Sequence, residues 1–88
     1  MSYKTIKVEI AENLAAEAVR DGFTAEAYCY EEDGIVNANV WIKGKTAEET
    51  AARAELIRVR LADEGFFAEV MTEIEDAREA TVMAEKAA

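Results

Sequence analysis

The sequence predicts a small α+β domain: a four-stranded antiparallel sheet with two helices on one face and a short helix at the C-terminus. Three observations carry this expectation. A two-residue turn signal, Asp33-Gly34, sits inside a long alternating run. Two segments with helical spacing are each closed by a glycine, Gly22 and Gly65. Alternating segments lie near Met1 to Ile10 and from Phe66 to Ile74.

In chain order, Tyr3 to Ile10 alternates, with Ile6, Val8 and Ile10 on one side and Tyr3, Thr5, Lys7 and Glu9 on the other. It reads as a strand with one buried face. Asn13 is a helix-capping residue, and Leu14, Ala15, Ala18 and Val19 form a narrow apolar stripe, so a helix is expected over residues 13–21. Folding the chain about Asp33-Gly34 sets Cys29 against Ala38, Ala27 against Val40 and Ala25 against Ile42. The intervening pairs are Tyr30 with Asn37, Tyr28 with Asn39 and Glu26 with Trp41. One register sorts an apolar face from a mixed one, and a slip of one residue would destroy that sorting. Thr46 and Glu49 form a capping box, and a helix over residues 47–64 places Ala47, Thr50, Ala54, Ile57 and Leu61 on one side. Leu56 and Val59 fall off that side and read as residues at the edge of the core, the alternative being a contact surface. Phe66, Ala68, Val70 and Ile74 are expected to face inward, and Phe67, Glu69, Met71 and Glu73 outward. Residues 1–75 then form the domain. Residues 76–88, rich in Ala and Glu and opened by Asp76-Ala77-Arg78-Glu79, form a helical tail. No linker and no internal repeat is read.

Right-handed crossovers in the two β-α-β units give the strand order 4-1-3-2, the ferredoxin-like arrangement.

Composition narrows the chemistry. The 88 residues include no histidine, and the only serine is Ser2, so Ser-His and Cys-His catalysis have no base. The lone Cys29 lies mid-strand on the buried face and reads as a structural thiol. No His/Cys cluster suits a transition metal, and four glycines supply no phosphate loop. No cofactor is expected. No apolar run has membrane-spanning length, and the N-terminal segment carries Glu9, unlike a signal peptide. The cytoplasm is the expected location, that of the host if the source is a phage. Nineteen acids against ten Lys and Arg give a net charge of −9, which repels nucleic acid and anionic membranes and attracts basic surfaces.

Two sets of side chains stand out. Tyr3, Tyr28, Tyr30, Trp41, Phe67 and Met71 fall on the sheet face without helices, and they are the residue types enriched at interface centres. The alternative is that the C-terminal helix folds back over them. The second set is acidic: Glu69, Glu73, Glu75 and Asp76 near the last strand, and Glu31, Glu32 and Asp33 at the hairpin tip. The tip lacks EF-hand spacing and reads as a solvated turn. From residue 63 to 79 there are seven acids and one base; from 43 to 60 there are five bases and three acids.

The β-α-β-β-α-β order with aromatics on the open sheet resembles the RNA-recognition-motif family in topology. The segment from Ile35 to Ile42 lacks that family's basic, glycine-containing aromatic motif, and the net charge opposes RNA binding. The topology is also similar to ACT-type ligand-sensing domains and to copper chaperones. The turn from Ile10 to Asn13 lacks the glycine of the former, and the chain lacks the Cys-x-x-Cys loop of the latter. Small size, acidity and the absence of catalytic residues resemble the anti-CRISPR and DNA-mimic inhibitors of phages. That resemblance implies carboxylates standing in for phosphates on a nucleic-acid-binding complex. The expected function is a non-enzymatic inhibitor or adaptor that docks on a basic protein surface. The alternative is a homodimeric ligand-sensing or structural module that pairs through its open sheet.

Overall fold

The computed structural model describes residues 2–88. It contains β1 (Lys4–Thr5), α1 (Glu9–Arg20), β2 (Thr24–Glu32), β3 (Ile35–Lys43), α2 (Ala47–Asp63), β4 (Phe67–Thr72) and β5 (Glu79–Ala87). One five-stranded sheet runs in the order β1-β2-β3-β5-β4, antiparallel throughout. Both helices cover one face.

The hairpin has the expected register, with Cys29 opposite Ala38 and Glu26 opposite Trp41. Its turn places Asp33 at φ 51° and Gly34 at φ 78°, the positive values that two-residue hairpin turns require. Helix α2 also begins as expected. The Glu49 N–H donates to the Thr46 hydroxyl at 3.1 Å, and Thr50, Ala54, Ile57 and Leu61 are buried. Leu56 and Val59 are exposed.

The predicted four-stranded 4-1-3-2 sheet and the C-terminal helix are not what the chain forms. Residues 79–87 make β5, and β5 is an interior strand paired with β3 on one side and β4 on the other. Ala80, Val82 and Ala84 are buried under the helices, while Thr81, Met83 and Glu85 face the other way. Ala and Glu favour helix in isolation, but a nine-residue strand that buries three apolar side chains and completes two ladders outweighs that preference. Asp76 starts a turn rather than a helix: its carboxylate accepts the Arg78 N–H at 3.0 Å.

The N-terminal segment also departs from expectation. It pairs for only two residues on the outer edge of β2, and the helix starts at Glu9, ahead of Asn13, with no side-chain cap at Val8. The early start puts Ala11, Leu14, Ala15 and Ala18 on one buried stripe, at i, i+3, i+4 and i+7. Val19 lies outside that stripe and is exposed. Ile74, expected inward, is fully exposed in the β4–β5 loop.

The chain contains an internal repeat that was not read from the sequence. Residues 11–33 and 54–76 share eight identical positions 43 residues apart, among them Gly22 and Gly65, Phe23 and Phe66, Ala25 and Ala68, Glu26 and Glu69, and Asp33 and Asp76. Each copy is a helix followed by a hairpin, α1-β2-β3 and α2-β4-β5. The two hairpins join through β3 and β5, whose ladder is centred on Asn39 and Met83. The helix ends match in detail: the Phe23 N–H donates to the Ala18 carbonyl at 2.9 Å, and the Phe66 N–H to the Leu61 carbonyl at 3.1 Å. Gly22 at φ 97° and Gly65 at φ 93° make both stops possible.

Where the units meet, Gly44 must be glycine, because a Cβ there would lie 2.6 Å from the Thr50 hydroxyl and 2.9 Å from the Phe23 ring. That buried hydroxyl accepts the Gly44 N–H at 3.1 Å and lies 2.9 Å from the Arg78 carbonyl, tying α2 to the ends of β3 and the β4–β5 loop.

Candidate functional site

Among the described residues, no element covers the second face of the sheet. Because β5 is a strand, the chain has no C-terminal helix to fold back over it. The register stacks this face in rows across the strands: Tyr30, Asn37, Glu85 and Phe67; Tyr28, Asn39, Met83 and Glu69; Glu26, Trp41, Thr81 and Met71. Tyr3 joins from the edge, its ring centroid 5.0 Å from that of Tyr30. All six side chains of the predicted aromatic set lie on this face. Tyr3, Tyr28, Phe67 and Met71 are exposed, and Tyr30 and Trp41 are half-buried.

The same face is anionic. Glu26, Glu32, Glu69, Glu79 and Glu85 project from it, against Lys43 alone. The helices are more balanced, with Glu9, Glu12, Glu17, Glu48, Glu49, Glu55 and Asp63 set against Arg20, Arg53, Arg58 and Arg60. Acids outnumber bases on both layers, and on the open face they interleave with the apolar patch.

The acidic set expected from the sequence is not one site. Glu69 is on the open face, while Glu73, Glu75 and Asp76 are in the β4–β5 loop, beside the Lys43 end of β3. Glu31, Glu32 and Asp33 cluster at the hairpin tip, beside the opposite end. Nine-residue strands separate these ends by roughly 26 Å. Glu31 lies 4.0 Å from Lys4, and Asp76 pairs with Arg78 at 2.8 Å and Lys43 at 4.0 Å. Of the seven acids, Glu69 and Glu32 belong to the strands of the open face, and Glu73, whose N–H donates to the Glu79 carbonyl at 3.0 Å, adjoins it.

Asp76 is the acid most altered by folding. Arg78, through its side chain and its N–H, holds that carboxyl at about 2, below its ordinary 3.8. The folded value is the lower one, so this pairing contributes stability above pH 3.8 that is lost as the pH falls towards 2. Asp76→Asn is therefore expected to flatten the acid-unfolding profile between pH 4 and 2, followed by circular dichroism. A profile unchanged by the substitution contradicts the pairing.

Two carboxylates on the face are held by aromatic donors. The Tyr28 hydroxyl donates to Glu26 Oε2 at 2.6 Å, which raises the Tyr28 pKa above its ordinary 10. Trp41 Nε1 donates to Glu79 Oε1 at 3.2 Å. Beside Tyr28 and Trp41 lies an open notch of about 430 Å³ lined by Glu26, Tyr28, Asn39, Trp41 and Thr81, with Glu79 outside the lining. Glu79, Met83 and Glu85 were missed because β5 was read as helix. The alternation of Ala80, Val82 and Ala84 with Thr81, Met83 and Glu85 was the available signal.

Other concavities carry less. The groove between the α1 terminus and α2 contains Arg53, but its guanidinium is already paired with Asp21 and lies 5.0 Å from the Phe23 ring centroid. Burial pushes the Cys29 thiol above its ordinary 9, so it is a poor thiolate. Among the described residues, no group of three or more His, Cys, Asp or Glu is placed to hold a metal ion. No helix among them is long and apolar enough to cross a membrane.

No known protein family, curated protein or solved structure matches this chain.

Proposed function

We propose that this chain is a non-enzymatic binding protein, an inhibitor or adaptor whose open sheet face docks on a basic protein surface. The observation that carries the reading is the composition of that face. Five glutamates interleave with exposed tyrosine, phenylalanine and methionine on a surface that no element of the described residues covers. Aromatic and methionine side chains supply contact area, and the carboxylates supply steering and selectivity. Nucleic-acid-binding grooves of protein complexes carry the complementary charge, which keeps blockade of such a complex, as by phage anti-CRISPR proteins, within this reading. The homodimer is placed second, because apposed open faces would set five glutamates against five of their own kind.

The test joins sedimentation with capture. The wild type is expected to sediment as a monomer at micromolar concentration. Immobilised, it is expected to retain basic proteins, identified by mass spectrometry, from its native host or from cells carrying a CRISPR system. A dimer that Trp41→Glu converts to monomer would instead establish the second reading.

A further inference from the structure

We propose that the notch between Tyr28 and Trp41 is a binding site for a guanidinium group, presented as an arginine side chain by the basic partner. The inference rests on the docking face argued above and names what that face recognises. Trp41 stands on β3, the middle strand of the sheet, with Glu26 directly across from it on β2 and Glu79 bonded to its indole N–H from β5. A cation over the indole ring is attracted by its negative face, and tryptophan is the best of the aromatic side chains for this contact. The Glu26 carboxylate, the one acid in the lining, then receives the N–H groups.

The Glu26 carboxylate is already oriented, and Glu79 fixes the indole from outside the lining. The Tyr28 hydroxyl holds one oxygen of Glu26, and the indole N–H holds one oxygen of Glu79, which leaves the remaining lone pairs as acceptors. Neither has a Lys or Arg partner within 4.0 Å among the described residues. The base nearest in register, Lys43, is directed to Asp76. Asn39 and Thr81 line the same notch and add a carbonyl and a hydroxyl acceptor. Anionic ligands are repelled by such a lining. A planar guanidinium, with its fixed fork of donors, can lie flat on an aromatic ring and reach a carboxylate at its edge. A lysine ammonium, a compact and strongly hydrated point charge, matches that geometry less well.

Trp41 is the only tryptophan, so its fluorescence reports from inside the notch without a label. The experiment titrates the full chain with acetylated, amidated hexa-arginine and with the equally charged hexa-lysine peptide, at constant ionic strength. Hexa-arginine is expected to give a saturable change in Trp41 emission and to bind about fivefold or more tighter than hexa-lysine. Glu26→Gln is expected to weaken hexa-arginine binding by a similar factor. Glu32→Gln, the same charge change on the same face outside the notch, is expected to stay within about twofold. Both side chains lie on the solvated sheet face, and unchanged far-ultraviolet circular dichroism verifies the fold of each variant. Equal weakening by the two substitutions, or equal affinity for the two peptides, overturns the notch while leaving the docking face in place. Absence of binding by both peptides overturns the notch and the docking face together.

Discussion

A chain ended at Glu75 is expected to remain unfolded. Without residues 76–88, β3 loses its partner along nine paired positions and β4 loses its only neighbour in the sheet. Ala80, Val82 and Ala84 leave the core, and Val40 and Ile42, both fully buried, open to water. A small domain holds only about 5–15 kcal/mol of net stability, and losing two ladders and part of the core exceeds that margin. A pair of point variants makes the same test within the complete chain. Val82→Asp buries a carboxyl without a partner and should cost several kcal/mol, because the group must be either desolvated or protonated. Met83→Asp, one residue along on the open face, should stay within about 1 kcal/mol. Urea unfolding measures both. A helical tail would make all three changes mild, and a cooperative unfolding transition in the 1–75 fragment would contradict β5.

The second large effect is electrostatic. Reversing Glu26, Glu69 and Glu85 to Lys moves the net charge from −9 to −3, since each exchange changes it by two. All three lie on the open face. Reversing Glu9, Glu12 and Glu17 on α1 produces the same net charge on the opposite layer. Association with a basic partner captured by the wild type should slow about tenfold or more for the open-face variant and distinctly less for the α1 variant. The reason is that complementary patches steer encounter over a Debye length of roughly 8–10 Å near physiological salt. Wild-type association should also slow as salt rises, while the open-face variant should lose most of that dependence. Stopped-flow or surface-resonance kinetics read both quantities. Equal slowing in the two variants would mean that net charge alone matters and would remove the open face as the site.

The repeat bears on how such a face arises. Two helix-hairpin units that meet strand to strand make one continuous sheet with both helices on the same side. The other side is left without a third layer, which is where the aromatic and acidic residues of both units collect.

The sequence by itself determined what depends on close neighbours. Asp33-Gly34 and the alternation around it specify the hairpin register, because only one pairing sorts apolar from polar side chains. Thr46 with Glu49 specifies the start of α2, and Gly65 its end. The same alternation placed Tyr28, Tyr30 and Trp41 on the face away from the helices, so the core of the candidate site was legible before any tertiary arrangement was known. Tertiary structure decided which strand is central. Ala38 meets Ala84 across 46 residues of chain, and no local signal announces such a partner. The Ala- and Glu-rich end of the chain favours helix over a short range, but burial of Ala80, Val82 and Ala84 between two ladders makes it a strand. Once β5 takes the place beside β3, the N-terminal segment is left with an edge, where it pairs for two residues. The same exchange adds Glu79, Met83 and Glu85 to the open face and separates the loop and hairpin-tip acids to opposite ends of the sheet. Strand order follows from which long-range pairing buries the most apolar surface at the lowest cost in ordering the chain, and that sum is taken over the whole molecule.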